Sequence, residues 1–335
     1  VNWGTAFQVL PFREDSAPFT ELISGAAHES SFIFLYGKKK KCCELATYRY
    51  NSCMNPVAFN TQTELYCIFG NPVRHSLSPV MHNAAFQSTA RNAVYLAFQP
   101  DTIEHAIDAM RTLNIRGASI TIPFKIEVLK YLDRVDTLAR EIGSVNTLVN
   151  DDGTIAGFNT DGYGALISLK NVIESLAGLR VMLLGNGGSA RAIAFTLLEE
   201  DIAVTIAGRN VERVTALAND LRKKNDRVTS LLMDELTPDI MQDFDILINT
   251  TPVGMTPHTD TTPLDDALIL PRHTVFDIVY APSMTKLMGI ARQKGCTTVF
   301  GIDMLLNQGA KQYEIWTGTR APTAEMRTAL MKHLT

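Results

Sequence analysis

The stretch RVMLLGNGGSARAIAFTLLEE, residues 180–200, constrains the fold of this chain more than any other. Val181, Met182, Leu183 and Leu184 form an unbroken apolar run, as a strand buried on both faces does. Gly185 ends the run, and helical spacing begins at about Ser189. A buried strand that turns on glycines into a helix opens a doubly wound α/β unit, a parallel sheet covered by helices on both faces. Glycines let the backbone approach a phosphate, and the free N–H groups of the helix start bind it. In this setting Gly185, Asn186, Gly187, Gly188, Ser189 and Ala190 are expected to hold a dinucleotide pyrophosphate; a plain strand–helix turn is the other reading.

Strand–helix alternation extends to both sides of this stretch. Downstream, AVTIAGRN, SLLMDEL, FDILINTTP, TVFDIVYAP and TTVFGIDM supply five more strands with helices between most of them. Upstream, LYCIFG, AVYLAFQ and GASITI alternate with helical segments, and SVNTLVN and GTIAGFN meet in a hairpin-type turn at Asp151–Gly153. DGYGALISLKNVI bridges the two halves, and two closing helices after residue 303 are free to return to the first. The expected fold class is therefore α/β in two domains, a size that 335 residues accommodate with a crevice between them. The N-terminal, mostly parallel domain is set at 63–162 plus about 306–335, and the Rossmann-like domain at 163–305. Residues 1–62 read as an extension of different texture, with a helix after Pro11, a strand at SFIFLYG and a solvated turn at Lys38–Lys41. The chain opens at Val1 rather than Met, as a fragment or processed product does.

Bulk properties narrow the partners. A net charge of -4 and a pI near 6.0 disfavour nucleic acid and anionic membranes. No apolar run reaches the roughly 18 residues of a membrane helix, and no secretory signal is visible. Cys42, Cys43, Cys53, Cys67 and Cys296 lack ligand spacing and read as reduced thiols of a cytoplasmic protein, with no metal expected.

The end of the strand after the glycine turn selects the cofactor. An NAD site places a carboxylate about twenty positions on, to bind the ribose 2′-hydroxyl. Here Gly208, Arg209 and Asn210 stand instead. Arg209, reinforced by Arg213 one turn later, suits a 2′-phosphate through a charge-assisted contact of about 1.5–3 kcal/mol, which favours NADP. In the first half, SITIPFK alternates as a strand until Pro123, and KIEVLKYLD has helical spacing. Lys125 then falls in the first turn of a helix, where the macrodipole opposes its charge, as suits a group that exchanges a proton. Ser76 and Ser78 offer two hydroxyls from the loop NPVRHSLSP. Thr121, Asn146 and Asp161 lie at strand ends or in the loops after them, where parallel sheets place ligands. Singly, each also reads as a solvated side chain, cap or turn; jointly they make a Lys–Asp acid/base pair amid hydrogen-bonding groups.

From about Tyr66 to Arg327 the chain resembles the shikimate dehydrogenase family. The motifs occur in the family's order: S-x-S in HSLSP, T-I-P-F-K, G-S-V-N-T, G-F-N-T-D-G, G-N-G-G-S-A-R, N-T-T-P-V-G-M, D-I-V-Y-A-P and G-I-D-M-L-L-N-Q-G. The resemblance implies reversible reduction of 3-dehydroshikimate to shikimate with NADPH, in a monomer or homodimer, with Lys125 and Asp161 as the catalytic pair. It implies that Ser76 and Ser78, with Tyr280, hold the substrate carboxylate, and that Thr121, Asn146 and Gln308 bind ring hydroxyls. Gly301 and Met304 would border the nicotinamide. Gly208 and Asn210 depart from the family's frequent asparagine and threonine. A quinate/shikimate dehydrogenase and a dehydrogenase-like ligand sensor without turnover are the alternatives. Residues 1–62 resemble the last quarter of a type I 3-dehydroquinate dehydratase barrel, which precedes this enzyme in fused proteins of the pathway. A whole barrel needs ~200 residues or more, and the family's Schiff-base lysine would fall near Gly4, so dehydratase activity is not expected.

Overall fold

The computed structural model describes residues 59–334, and the expectations set on residues 1–58, including Cys42, Cys43 and Cys53, lie outside them. Two six-stranded sheets follow one another along the chain. The first takes β1 (Glu64–Phe69), β2 (Ala93–Phe98), β3 (Gly117–Ile120), β4 (Arg134–Val135), β5 (Thr147–Asp151) and β6 (Thr154–Phe158), in the order β2-β1-β3-β5-β6-β4. The β1–β2, β1–β3 and β4–β6 pairs are parallel, while β5 and β6 form the antiparallel hairpin expected at Asp151–Gly153. Asp152 and Gly153 both have positive φ, +47° and +89°, as a two-residue turn that matches strand twist requires. Its helices are α1 (Ser78–Ser88), α2 (Ile103–Thr112) and α3 (Thr137–Ile142).

Helix α4 (Asp161–Lys170) leads into the second sheet, built from β7 (Arg180–Leu184), β8 (Ala203–Gly208), β9 (Val228–Leu232), β10 (Ile246–Asn249), β11 (Thr274–Asp277) and β12 (Thr297–Phe300). All its pairs are parallel, in the doubly wound order β9-β8-β7-β10-β11-β12. Its helices are α5 (Gly188–Glu199), α6 (Val211–Arg222), α7 (Pro238–Met241) and α8 (Lys286–Gln293). The glycine turn therefore sits on the central strand, whose Val181 to Leu184 are buried from both sides. Two closing helices, α9 (Gly301–Thr317) and α10 (Thr323–Leu334), leave β12 and return to the first sheet. There Leu306, Tyr313, Met326 and Leu330 pack with Tyr66, Met81 and Phe86. Each such side chain contributes about 1.5–3 kcal/mol on burial. Among the described residues no helix is long and apolar enough to cross a membrane.

One expectation is corrected. No helix starts at Lys125: β3 ends at Ile120, turns follow, and only Glu127–Tyr131 closes into a short 3-10 helix. The Lys125 carbonyl accepts from Val145 N at 2.8 Å, which takes it from the amide four residues on, and Leu129 N turns to Ile126 O instead. Phe124 and Val128 are the buried pair, while Ile122 and Ile126 stay exposed at 58% and 50%. Of Ile126, Leu129 and Leu132, which a helix would place on one side, Leu129 and Leu132 pack partly buried against the core and Ile126 does not, and the macrodipole argument for Lys125 on its own segment falls with the helix.

Candidate active site

Strand ends from both sheets open on one cleft of about 220 Å³. Lys125 reaches it from the turn after β3, held by its main-chain bond to Val145. Asp161 reaches it from the first turn of α4, where helix N–H groups favour negative charge. Lys125 Nζ and Asp161 Oδ2 are 2.5 Å apart, with side chains 15% and 5% exposed. Ser189, in the first turn of α5, touches both: Lys125 Nζ donates to its Oγ at 3.1 Å, and the Oγ–H donates to Asp161 Oδ2 at 3.1 Å. Asn146 Nδ2 donates to Asp161 Oδ1 at 2.7 Å, and Asp161 N donates to Asn159 Oδ1 at 3.0 Å. Every oxygen of this buried carboxylate is thus bonded, which offsets much of the cost of removing it from water. Although Lys125 lacks a helix of its own, it faces the positive end of α5.

The other expected substrate residues gather round the pair. Ser76, Ser78, Thr121, Asn146, Tyr280 and Gln308 all line the cleft. Ser78 N donates to Ser76 Oγ at 3.3 Å, a local turn that aligns the two serines, and Pro79 stands in the first turn of α1. The Tyr280 phenol lies against Ser76 and the Leu77 backbone, and burial pushes it above its ordinary value. Asn146 Nδ2 also lies 3.3 Å from Gln308 Oε1, which joins α9 to the pair.

The glycine turn fits a phosphate. Gly185 has φ +114°, and a Cβ there would lie 2.6 Å from Thr250 Oγ1. Gly187 has open space around its Cβ position, and the free amides of α5 begin beside it. A Cβ on Gly188 would meet Ser144 Oγ at 2.8 Å and Lys125 Cβ at 3.2 Å, so the glycine is what lets the two sheets' segments touch. Ser189, Gly301 and Met304 line the cleft; Ala190 is buried in the core beneath it. Asn186 Nδ2 sits 3.5 Å from the Cβ position of Gly208, which ties the turn to the end of β8. A side chain at 208 would come 2.6 Å from Val214 Cγ2, a local reason for glycine there. Arg209 and Arg213 are exposed beside it, outside the cleft lining. Asn210 is spent as the cap of α6, accepting from Arg213 N at 2.8 Å. Among the described residues no cluster of three or more His, Cys, Asp or Glu is placed to hold a metal.

Several participants carry no signal readable beforehand. Ser189 was expected on the pyrophosphate, yet its hydroxyl serves the Lys–Asp pair. Gln312 and Ser119, in the cleft lining, form a buried relay with Tyr95 beneath them: Tyr95 OH donates to Ser119 Oγ at 2.6 Å, which donates to Gln312 Oε1 at 2.9 Å. Gln312 Nε2 then donates to the Asn146 carbonyl at 3.0 Å. Only the i, i+4 spacing of Gln308 and Gln312 on one helix face hinted at it.

Comparison with known proteins gives a consistent result. A family model described as shikimate dehydrogenase substrate binding domain matches residues 68–148. One described as shikimate / quinate 5-dehydrogenase matches 168–268, and one described as shikimate 5′-dehydrogenase C-terminal domain matches 301–331. A shikimate dehydrogenase (NADP(+)) of Moorella thermoacetica is 42% identical over 279 residues, 82% of this chain and 95% of that protein. A crystal structure of a shikimate dehydrogenase in complex with NADP+ superposes with a TM-score of 0.79 at 37% identity, over 83% of this chain and 98% of the other. Quinate dehydrogenase from Corynebacterium glutamicum, in complex with NAD, does so at 0.74 and 29% identity, over 81% and 99%.

Proposed function

The chain belongs to the shikimate dehydrogenase family, and from that premise we propose that it catalyses the reversible, NADP-dependent reduction of 3-dehydroshikimate to shikimate. The observation that carries the reading is the Lys125–Asp161 pair, held at 2.5 Å and bonded to the first turn of the helix that follows the glycine turn. Bound NADPH supplies the hydride. Lys125 Nζ, as an ammonium, donates the proton to the oxygen that gains charge, and is recharged from solvent through the cleft. Asp161 accepts from the neighbouring ring hydroxyl and, with Ser189, keeps the ammonium aimed. Ser76, Ser78 and Tyr280 hold the substrate carboxylate, and Thr121, Asn146 and Gln308 the ring hydroxyls. The turn at Gly185–Gly188 with the amides of Ser189 and Ala190 takes the pyrophosphate. Asn186, Arg209, Asn210 and Arg213 frame the adenosine 2′-phosphate, and Gly301 and Met304 border the nicotinamide. In this reading 63–162 plus 306–335 form the substrate domain and 163–305 the NADP domain, in a cytoplasmic monomer or homodimer.

The test is loss of NADPH absorbance on adding 3-dehydroshikimate, and its gain from NADP and shikimate. NADPH binding with no turnover in either direction would instead support a ligand sensor. A second reading, oxidation of quinate as well, is favoured by the likeness to quinate dehydrogenase; quinate with NADP and with NAD decides it. We read residues 1–62, from their resemblance to the end of a dehydratase barrel, as an extension derived from that enzyme and without its activity. With 3-dehydroquinate as sole substrate no dehydration is expected, and its appearance would overturn that assignment.

A further inference from the structure

One buried carboxylate plays no part in the chemistry above. Asp277 ends β11 and is fully buried. Its Oδ1 accepts from Asn249 Nδ2 at 2.9 Å and from Val279 N at 3.0 Å, and its Oδ2 accepts from Thr285 Oγ1 at 2.6 Å. Each donor anchors a different segment. Asn249 ends β10, and its Oδ1 fixes the next loop by accepting from Thr251 N at 3.0 Å and Thr251 Oγ1 at 2.7 Å. Val279 opens the stretch that carries Tyr280, and Thr285 caps α8 by accepting from Met288 N at 3.3 Å. Thr251, Pro252 and Met255 from the first loop, with Val279 and Tyr280 from the second, line the cleft.

We propose that Asp277 is a positioning residue for dinucleotide binding: by gathering Asn249, Val279 and Thr285 on one carboxylate it sets the two loops that wall the cleft, and its protonation loosens that wall without unfolding the sheet. This rests on the cleft being a dinucleotide site and goes beyond it. An ionised carboxylate can accept from all three donors at once. Once protonated, one oxygen must donate: a proton on Oδ2 reverses the Thr285 bond and leaves the Thr285 hydroxyl proton without its acceptor, and a proton on Oδ1 displaces Asn249 or Val279.

Burial pushes the Asp277 carboxyl from its ordinary 3.8 up to about 6, against the three hydrogen bonds. Charged neighbours are engaged elsewhere. Lys286 at the start of α8 donates to the Asp260 carbonyl, Arg292 lies over the Phe300 ring, and Lys294 pairs with Asp266. Asp303 on α9 pairs with Arg327, and His258 and Asp260 in the loop after β10 are exposed. For stability the sign is opposite to that for binding. A carboxyl raised in the folded state contributes stability that is complete below its unfolded value and is lost as pH rises through about 6. Acidification from about pH 7.5 to 5.5 therefore favours the fold at this residue while weakening the nucleotide's hold, a combination that mere structural support does not produce.

The experiment is fluorescence titration of the full chain with NADPH between about pH 5.5 and 8, for wild type, Asp277→Asn and Thr285→Val. Asp277→Asn is expected to bind about tenfold more weakly at pH 7.5, and the ratio to wild type to shrink to about threefold or less at 5.5. The 2′-phosphate titrates equally in both proteins and cancels in that ratio. Thr285→Val removes a donor that favours the ionised form, so the acid midpoint of binding moves to higher pH. A pH-independent ratio overturns the proposal; if Asp277→Asn does not fold, a wild-type midpoint in Thr285→Val does so. A wild type that binds NADPH but does not reduce 3-dehydroshikimate overturns the dehydrogenase reading alone, and one that binds no NADPH overturns both.

Discussion

In the proposed reaction Lys125 is the residue on which turnover depends most. Lys125→Ala is expected to lower kcat by about 10²–10⁴ with a modest change in KM, read from initial rates of NADPH oxidation; a variant within threefold of wild type removes the lysine from the chemistry. Arg209→Ala is expected to weaken NADPH by roughly 10- to 150-fold, the loss of about 1.5–3 kcal/mol, and to leave NADH unchanged. Equal losses with both nucleotides would show that Arg209 does not meet the 2′-phosphate. At this scale much was legible beforehand. Lys125, Asp161, Asn146 and the two serines sit in short motifs whose residue types state their chemistry, and the structure brings them to one cleft. Ser189 was legible only as part of a phosphate turn. Its bonds to Lys125 and Asp161 depend on the two sheets meeting, which no local pattern records. Asp277 was hidden for the same reason, since its donors lie on β10 and at the start of α8.

Elements were read well where an apolar run dictates burial, as in β7, β10 and β11. They were misread where a distant partner takes a backbone group. The carbonyl of Lys125 bonds Val145, twenty positions on, and that bond replaces the expected helix with turns. Helix α4 shows the opposite case, a sequence detail whose meaning appears only in packing. Gly162 fits against the Ala192 carbonyl and Thr196 of α5, and Gly164 against α9, where a Cβ would lie 2.8 Å from Gln308 Cβ and 3.0 Å from the Met304 carbonyl. Gly164→Val therefore forces backbone apart and shifts Gln308. At about 1–3 kcal/mol for overpacking and about 2–4 °C per kcal/mol, its Tm is expected to fall by roughly 2–12 °C. A thermal melt unchanged from wild type would contradict this close approach.

For the molecule as a whole, acid stability is tied to His82, buried under the returning helices and stacked on Tyr95 with ring centroids 4.6 Å apart. Neither ring nitrogen has a hydrogen-bond partner among the described residues, and burial pushes the imidazole down to about 3. The unfolded chain takes up that proton near 6.5 while the folded chain refuses it. This contribution is therefore complete above 6.5 and lost as pH falls toward 3, at up to about 1.4 kcal/mol per pH unit. Asp277 gains stability over the same range and offsets part of this loss, so the readout is a difference: in urea unfolding at about pH 7 and 5, His82→Phe is expected to lose less stability on acidification than wild type; equal changes in the two proteins would assign the acid sensitivity elsewhere. Helix α9 has a consequence of a different kind. It starts at the sheet with the glycine turn, passes Gln308 through the cleft and ends with Trp316 Nε1 bonded to the Leu148 carbonyl at 2.9 Å. Such a rod is a ruler with marks at both ends. One residue more or fewer between Gly301 and Gln308 would swing the amide by about 100° while every side chain kept its identity. The length of this helix therefore sets the position of the amide as firmly as its side chains set the chemistry.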